Sequence, residues 1–354
     1  MYSESEIDGA VAAGAIAPEA ANALRAHVAA ARTTPLVDEE HFRLLTGFND
    51  IFVTIAVVLM LAAVAGLMQR IAWPVAGFSV GAVAWILAEY FTRVRRMALP
   101  SIILLIAFVG GIAAGLSALV AINADAIGSA IKAFSGDRAV QQGVAGLIAA
   151  TIAAITAAAA WIHWRRFAVP ITIAAGTVAV VVVALSLIVG LVPGASDAIY
   201  PLVLAAGIAT FAFAMRWDMS DPERRTRRAD VAFWLHLAAA PMIAHALFNL
   251  LGVFGPDMDA GRAVVAILLY LVFALVALAV DRRALLVSSL AYVLAALYLL
   301  FRQAGAVEVG AALTGLVIGS ALLSLSAFWH PMRARVVGLL GRGADRLPPV
   351  AATA

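Results

Sequence analysis

Long apolar stretches, broken by short arginine-bearing segments, run through most of the chain. Windows of about 20 apolar residues are long enough to cross a bilayer as helices. They fall at 49–69, 72–91, 100–122, 142–162, 169–191, 199–216, 230–251, 263–280, 284–301 and 309–329. The pattern predicts an all-α integral membrane protein of about ten transmembrane helices.

The cations assign a direction to this array. If the N-terminus lies inside, nineteen of the 24 Lys and Arg residues fall in inner segments, and five (Arg70, Lys132, Arg138, Arg262 and Arg302) fall outside. A bias of that kind orients membrane helices, so both termini are expected in the cytoplasm. The pairs Arg95–Arg96, Arg165–Arg166 and Arg227–Arg228 are the expected topology anchors. Two of these pairs belong to a longer echo. "RRMALP" (Arg95–Pro100) and "RRFAVP" (Arg165–Pro170) each follow an "AWI", and a weaker "RRALLV" begins at Arg282. Arginines hold the end of one helix at the surface, and proline opens the next, where its missing N–H costs nothing. Chemical convergence of short hairpins would produce this, and so would descent from a duplicated two-helix unit giving parallel hairpin repeats. Small residues four apart (Gly77 and Gly81, Gly111 and Gly115, Gly315 and Gly319) predict close helix packing, with an oligomer contact as the alternative.

The remaining chain divides into a cytoplasmic N-terminal helical segment (1–46), the membrane domain (47–331) and a cytoplasmic tail (332–354). In the first segment Ser3 and Glu6 form a capping-box pattern, Gly14 suits a helix C-cap, and Pro18 suits the first turn of a second helix. The segment has too little apolar surface to fold alone. Docking on the membrane domain or the headgroups is expected, with a protein partner as the sharper alternative. Between the third and fourth spans, Ile127, Ile131 and Phe134 recur at helical spacing opposite Asp125, Ser129 and Lys132. This predicts an amphipathic helix at the outer interface, resting in headgroups or covering a cavity.

Composition narrows the class. The chain is 64% hydrophobic and 13% charged, with mean hydropathy +1.01, against about 25% charged residues in a soluble protein. The absence of cysteine excludes disulfides, iron–sulfur clusters and thiolate zinc sites. Topology accounts for the net charge of +3 without a nucleic-acid partner. The arginine-rich, alanine-rich composition points to a bacterial inner (cytoplasmic) membrane, with membrane lipids as the immediate partners.

Ionisable groups deep in a span are candidates for function. Asn49 and Asp50 are expected to cap the first helix, Glu89 to pair with Arg93, and His163 and Arg302 to reach water at helix ends. His236 and His245 remain, within "FWLHLAAAPMIAHALFNL" (Phe233–Leu250). Nine residues apart, they point to opposite sides of a straight helix. Pro241 between them is able to kink it, and His245 shares a face with Asn249. His236, Pro241, His245 and Asn249 are therefore the candidate substrate path. Each histidine bonded to a neighbouring helix is the structural alternative. No third ligand accompanies them, so no metal and no cofactor are expected. No P-loop, dinucleotide fingerprint, GxSxG or HExxH is present, which argues against an enzyme.

Gly14, Ile16, Glu19 and Ala20, in "AAGAIAPEAANAL" (Ala12–Leu24), resemble the "G-[IL]-I-x-x-E-Q-A" opening of DUF2157-type bacterial polytopic membrane proteins of unknown function. The family's Gln has no counterpart here. The resemblance implies a short N-terminal helical segment before a polytopic domain, and no activity. Two functions stay open: a transporter or permease-like protein for a small or lipidic substrate, and a non-catalytic scaffold or accessory subunit of a membrane complex.

Overall fold

A computed structural model describes residues 10–24, 48–222, 224, 226–253, 260–303, 307–341 and 347. The chain separates into a small unit (residues 1–42 with 349–354) and a large one (43–348). In the small unit, helical turns at 10–12 and 18–24 flank Gly14, whose φ of +71° closes the first of them. The amide of Gly14 donates to Val11 O at 3.0 Å, the bond expected of a left-handed C-cap. The capping box Ser3–Glu6 lies outside the described residues.

Every described element of the large unit is helical. In chain order these are α1 (Phe48–Met68), α2 (Trp73–Ala88, continued by a π-helical turn Glu89–Val94), α3 (Ala98–Ile122) and α4 (Ala124–Phe134). There follow α5 (Arg138–Phe167), α6 (Ile171–Leu191), α7 (Ile199–Met219) and α8 (Arg227–Leu250). The last are α9 (Ala260–Val280), α10 (Ala284–Gln303), α11 (Val307–Ala327) and α12 (Trp329–Leu340). Eight of them, α1 to α3 and α5 to α9, are long and apolar enough to cross a membrane. The expected ninth and tenth spans correspond to α10, whose apolar stretch is shorter, and to α11, which bends by 76° into α12. Asn49 and Asp50 lie inside α1, past Phe48, so the expected N-cap is corrected: Asp50 sits in the first turn, where a negative charge favours the helix dipole.

The surface pattern is that of a protein solvated by lipid. Large side chains such as Leu59, Ile86, Val180 and Trp161 face outward, while the buried set is rich in alanine, including Ala84, Ala160, Ala214, Ala239 and Ala296. So much exposed apolar area has no place in water. Lipid tails offer no hydrophobic drive to bring helices together, so small residues that allow close contact do the packing. Several hydroxyls on the spans are satisfied within their own helices: Thr151, Thr177 and Thr210 each donate to the carbonyl four residues back at 2.8 Å.

Sequential helices pair as hairpins, α2 with α3, α5 with α6, α7 with α8 and α9 with α10, and the hairpins adjoin through α3–α5, α6–α8 and α8–α10. Away from the arginine-bearing turns, the first three hairpins close on glycine. A methyl added to Gly77 would meet the Gly115 amide nitrogen at 2.4 Å, and one on Gly146 would meet the Gly190 Cα at 2.6 Å. One on Gly207 would fall 3.1 Å from the Ile243 nitrogen. The expectation for Gly77, Gly81, Gly111 and Gly115 is thus met, whereas Gly315 and Gly319 have nothing within 4 Å of such a methyl. At the other end, among the described residues, each of the four turns contains one non-glycine residue with positive φ: Arg96, Ala168, Arg224 and Asp281.

Replacing Gly146 with leucine should lower the thermal midpoint of the detergent-solubilised protein. Overpacking against backbone costs about 1–3 kcal/mol or more. Leucine at Gly66, which has open space, should leave the midpoint unchanged, as read by size-exclusion chromatography after heating.

Candidate functional site: an ionic clamp between two turns

Helix α7 continues past its apolar part to Met219, which carries Asp218 into the protein at 2% exposure. A carboxylate buried there requires paired donors. Arg282, from the α9–α10 turn, supplies two of them: Nη2 reaches Oδ1 at 2.5 Å and Nε reaches Oδ2 at 3.3 Å. The same Nη2 also donates to Ala229 O on α8 at 3.2 Å. His236, two and a half turns into α8, places Nε2 2.7 Å from Asp218 Oδ2. One carboxylate therefore ties together α7, α8 and the α9–α10 turn.

The adjacent Asp281 repeats the arrangement in reverse. Its Oδ2 accepts from Arg224 Nη1 at 2.9 Å, and its carbonyl accepts from Arg224 Nη2 at 3.0 Å. The polar end of α7 with the segment that follows it, and the α9–α10 turn, thus each contribute one carboxylate and one guanidinium to the other, Asp218 and Arg224 against Arg282 and Asp281. Helix α12 joins the same cluster. Trp329 Nε1 donates to Asp281 Oδ1 at 2.8 Å, Arg333 Nε lies 3.4 Å from that oxygen, and Arg283 stacks over the Trp329 ring at 4.7 Å. Asp221 accepts from the Thr226 amide and hydroxyl at 2.8 and 2.7 Å, while Thr226 caps α8 by accepting from the Arg228 amide at 3.2 Å.

A looser pair joins the first two arginine turns. Arg166 grips Glu89 in a bidentate contact at 2.7 and 2.8 Å, and Arg93 adds a bond at 3.3 Å, as its spacing predicts. Arg166 and Glu89 are each about one-third exposed, so solvent weakens this contact relative to the buried one.

The four candidate path residues do not assemble into one site. His236 is 1% exposed and turned toward α7, with the Phe211 ring edge-on at 5.0 Å. His245 is exposed on the other side of α8, so the divergence expected from nine-residue spacing is present. Asn249 Nδ2 bonds back to His245 O at 2.8 Å and lies 3.4 Å from its Nδ1. The rings of Tyr200 and Tyr292 stand 5.8 and 5.9 Å from the imidazole. Pro241 is exposed within a helix that runs unbroken from Arg227 to Leu250.

His163 departs from expectation. It is fully buried rather than water-reaching, packed among Trp85, Phe108 and Phe167 with the Thr172 hydroxyl 3.4 Å away. Helix α5 extends to Phe167, past the end of its apolar window, so His163 lies a full turn inside the helix. The anchors Arg95, Arg96, Arg165, Arg166, Arg227 and Arg228 are all exposed at helix ends.

Asp218, Asp281 and the burial of Arg282 escape sequence reasoning. An apolar window that stops at residue 216 leaves Asp218 in a loop, and Arg282 looks like one more surface arginine. The available signal is an aspartate in each of two turns otherwise dominated by arginine, "WDMSDPERR" and "VDRR".

Chemically, this arrangement fastens. The Asp218 carboxylate is saturated by guanidinium and imidazole, and the His236 Nδ1 atom has no hydrogen-bond partner. Among the described residues, no group of three or more His, Asp or Glu side chains is placed to hold a metal. Comparison with protein-family models, curated proteins and solved structures finds no match to the chain.

Removing one partner of a buried pair strands the other charge, at a cost of about 3–5 kcal/mol, whereas replacing both with apolar residues is often near neutral. Arg282→Met alone should therefore destabilise the protein strongly. Adding Asp218→Leu to it should restore most of the loss in a thermal-unfolding series.

Proposed function

We propose that this chain is a non-catalytic multi-pass membrane scaffold, or an accessory subunit of a membrane complex. The observation that supports this is the filled, ion-paired surroundings of His236, the most deeply buried titratable group on the candidate path. A permease needs a polar wall reached by water. Here the imidazole is spent on Asp218, and the buried face of α8 beyond it consists of Ala239, Ala240, Ala244, Ala246 and Phe248. Phe248 lies against Phe273 of α9 and Tyr292 of α10, which extends the packed region.

In this reading the arginine-bearing turns lie in the cytoplasm of a bacterial cell, and both termini share that side of the inner membrane. Helices α10 and α11 serve as the ninth and tenth spans. The segment 1–46, with its resemblance to the opening of DUF2157-type proteins, is the surface offered to a protein partner.

A permease-like reading for a small or lipidic substrate has one observation in its favour. His245 and Asn249 share a stripe of α8 on which the imidazole is exposed, and Tyr200 and Tyr292 flank it.

Water access separates the two readings without knowledge of a substrate. The chain has no cysteine, so single cysteines at Ala238 and Met242, deeper along the His245 side of α8, report directly. In membrane vesicles of both orientations, an impermeant maleimide should leave these two unlabelled and label Arg228→Cys from one side. Labelling of Ala238→Cys or Met242→Cys from either side would establish a water-filled path and replace the scaffold reading with the permease.

A further inference from the structure

The amphipathic helix α4 crosses from the end of α3 to the start of α5, and beneath it lies an open crevice of about 370 Å³. Small residues create the space: Ala124 and Gly128 on α4, Ala145 and Ala149 on α5. Ile127 and Ile131 line it from α4, so these two of the three residues of the predicted apolar face are turned toward the crevice, while Phe134 is exposed. The hydroxyl of Ser117 supplies the lining's polar side chain. An apolar space of this kind gives water too few partners to be occupied by it stably.

Its depth is informative. The lining residues of α5 run from Ala145 to Ile152. At 1.5 Å per residue they lie roughly 10 to 21 Å along the helix from Arg138. One leaflet of the hydrocarbon core is about 15 Å deep, half of a core about 30 Å thick. Helix α5, at 30 residues about 45 Å long, overhangs that core by about 7 Å at each end when centred in it, so the crevice runs from about 3 to about 14 Å below the interface, most of the depth of one leaflet. Its volume is at the lower end for a ligand pocket, about 300–1,000 Å³, which suits one chain without its headgroup.

The charges beside the crevice are of both signs. Lys132 follows Gly128 by four residues on α4 and Asp125 by seven, on the stripe bordering the apolar face, and Arg138 opens α5; all three are exposed. Asp137 is committed to the cap of α5, accepting from the Ala139 amide at 2.8 Å.

From these observations we infer that the crevice beneath α4 holds one acyl chain of a phospholipid, with the phosphate near Arg138 and Lys132. The site is independent of the scaffold reading, since a fixed bundle and a permease would equally retain a structural lipid. Helix α4 covers the chain and leaves the mouth open to the surrounding leaflet, which is the source of the occupant.

Native mass spectrometry of the full chain, delipidated in detergent and titrated with phosphatidylglycerol, tests the site. The wild type should take up a single phospholipid tightly. Ala149→Phe, which fills the crevice, should weaken that uptake by about tenfold or more, equivalent to about 1.4 kcal/mol. Arg138→Gln should weaken the uptake severalfold by removing a phosphate contact, while Val182→Phe, on an exposed face of α6, should change nothing. Unchanged uptake by Ala149→Phe would place the lipid elsewhere and overturn the assignment. Gly128→Leu fills the crevice from α4, outside the bundle core, and decides the same question should Ala149→Phe fail to fold. A photo-crosslinking residue at Ile131 should yield an adduct of phospholipid mass in intact membranes. An adduct of protein mass would identify a partner helix as the occupant and overturn the lipid assignment.

Discussion

The large unit depends on one constraint: a carboxylate, Asp218, buried where neither water nor lipid can solvate it. The ionised group is tolerable only with donors on both oxygens, and these come from a neighbouring helix and a turn distant in sequence. Several local features follow. Helix α7 runs beyond its apolar residues to deliver the aspartate, and α8 presents a histidine rather than an alanine at the contact. The α9–α10 turn adopts a left-handed conformation at Asp281, φ +59°, which directs Asp281 and Arg282 to separate partners. Aspartate is among the residues that tolerate that conformation. The crossed pair Asp281–Arg224 then holds the two turns in register, and Trp329 and Arg333 bring α12 to the same carboxylate.

The two ends of the bundle use different physics. At the glycine end, the hairpins α2–α3, α5–α6 and α7–α8 close by backbone contact, which is a matter of dispersion and shape. At the arginine end, neighbouring hairpins are joined by ion pairs, partly exposed between the first two turns and buried between the last two. A bundle solvated by lipid gains nothing from hiding apolar surface, so it uses the two forces that remain, close van der Waals contact and paired polar groups. The alanine-rich interior and leucine-, isoleucine- and valine-rich exterior reflect the same balance.

Much of this is legible in the sequence. Window hydropathy locates every helix of the large unit that reaches membrane-spanning length, because length and apolarity are properties of a segment alone. The glycine pairs of α2 and α3, the Glu89–Arg93 contact, the amphipathic α4 and the divergence of His236 from His245 are likewise readable from spacing along one helix. Contacts between segments far apart in sequence are not. Arg282 and Asp218 are separated by 64 residues, and no periodicity connects them. The polar end of α7 looks like a loop when only apolar residues are counted, which hides Asp218 from any search of the spans. His163 is misplaced for the same reason, since α5 outlasts its apolar window. The candidate path stays half-visible: hydropathy finds its helix, while the partner that removes His236 from it lies on another.

The buried clamp holds the arginine ends of α8 and α10 in a single fixed arrangement. Spin labels on Arg228→Cys and Val287→Cys, both exposed, measure that arrangement by double electron–electron resonance in nanodiscs. One narrow distance distribution is expected, unchanged by pH or by lipid composition, that broadens when Arg282 is replaced by methionine. Two populated distances in the otherwise unaltered protein would contradict it, because a bundle that alternates between arrangements cannot be locked at Asp218.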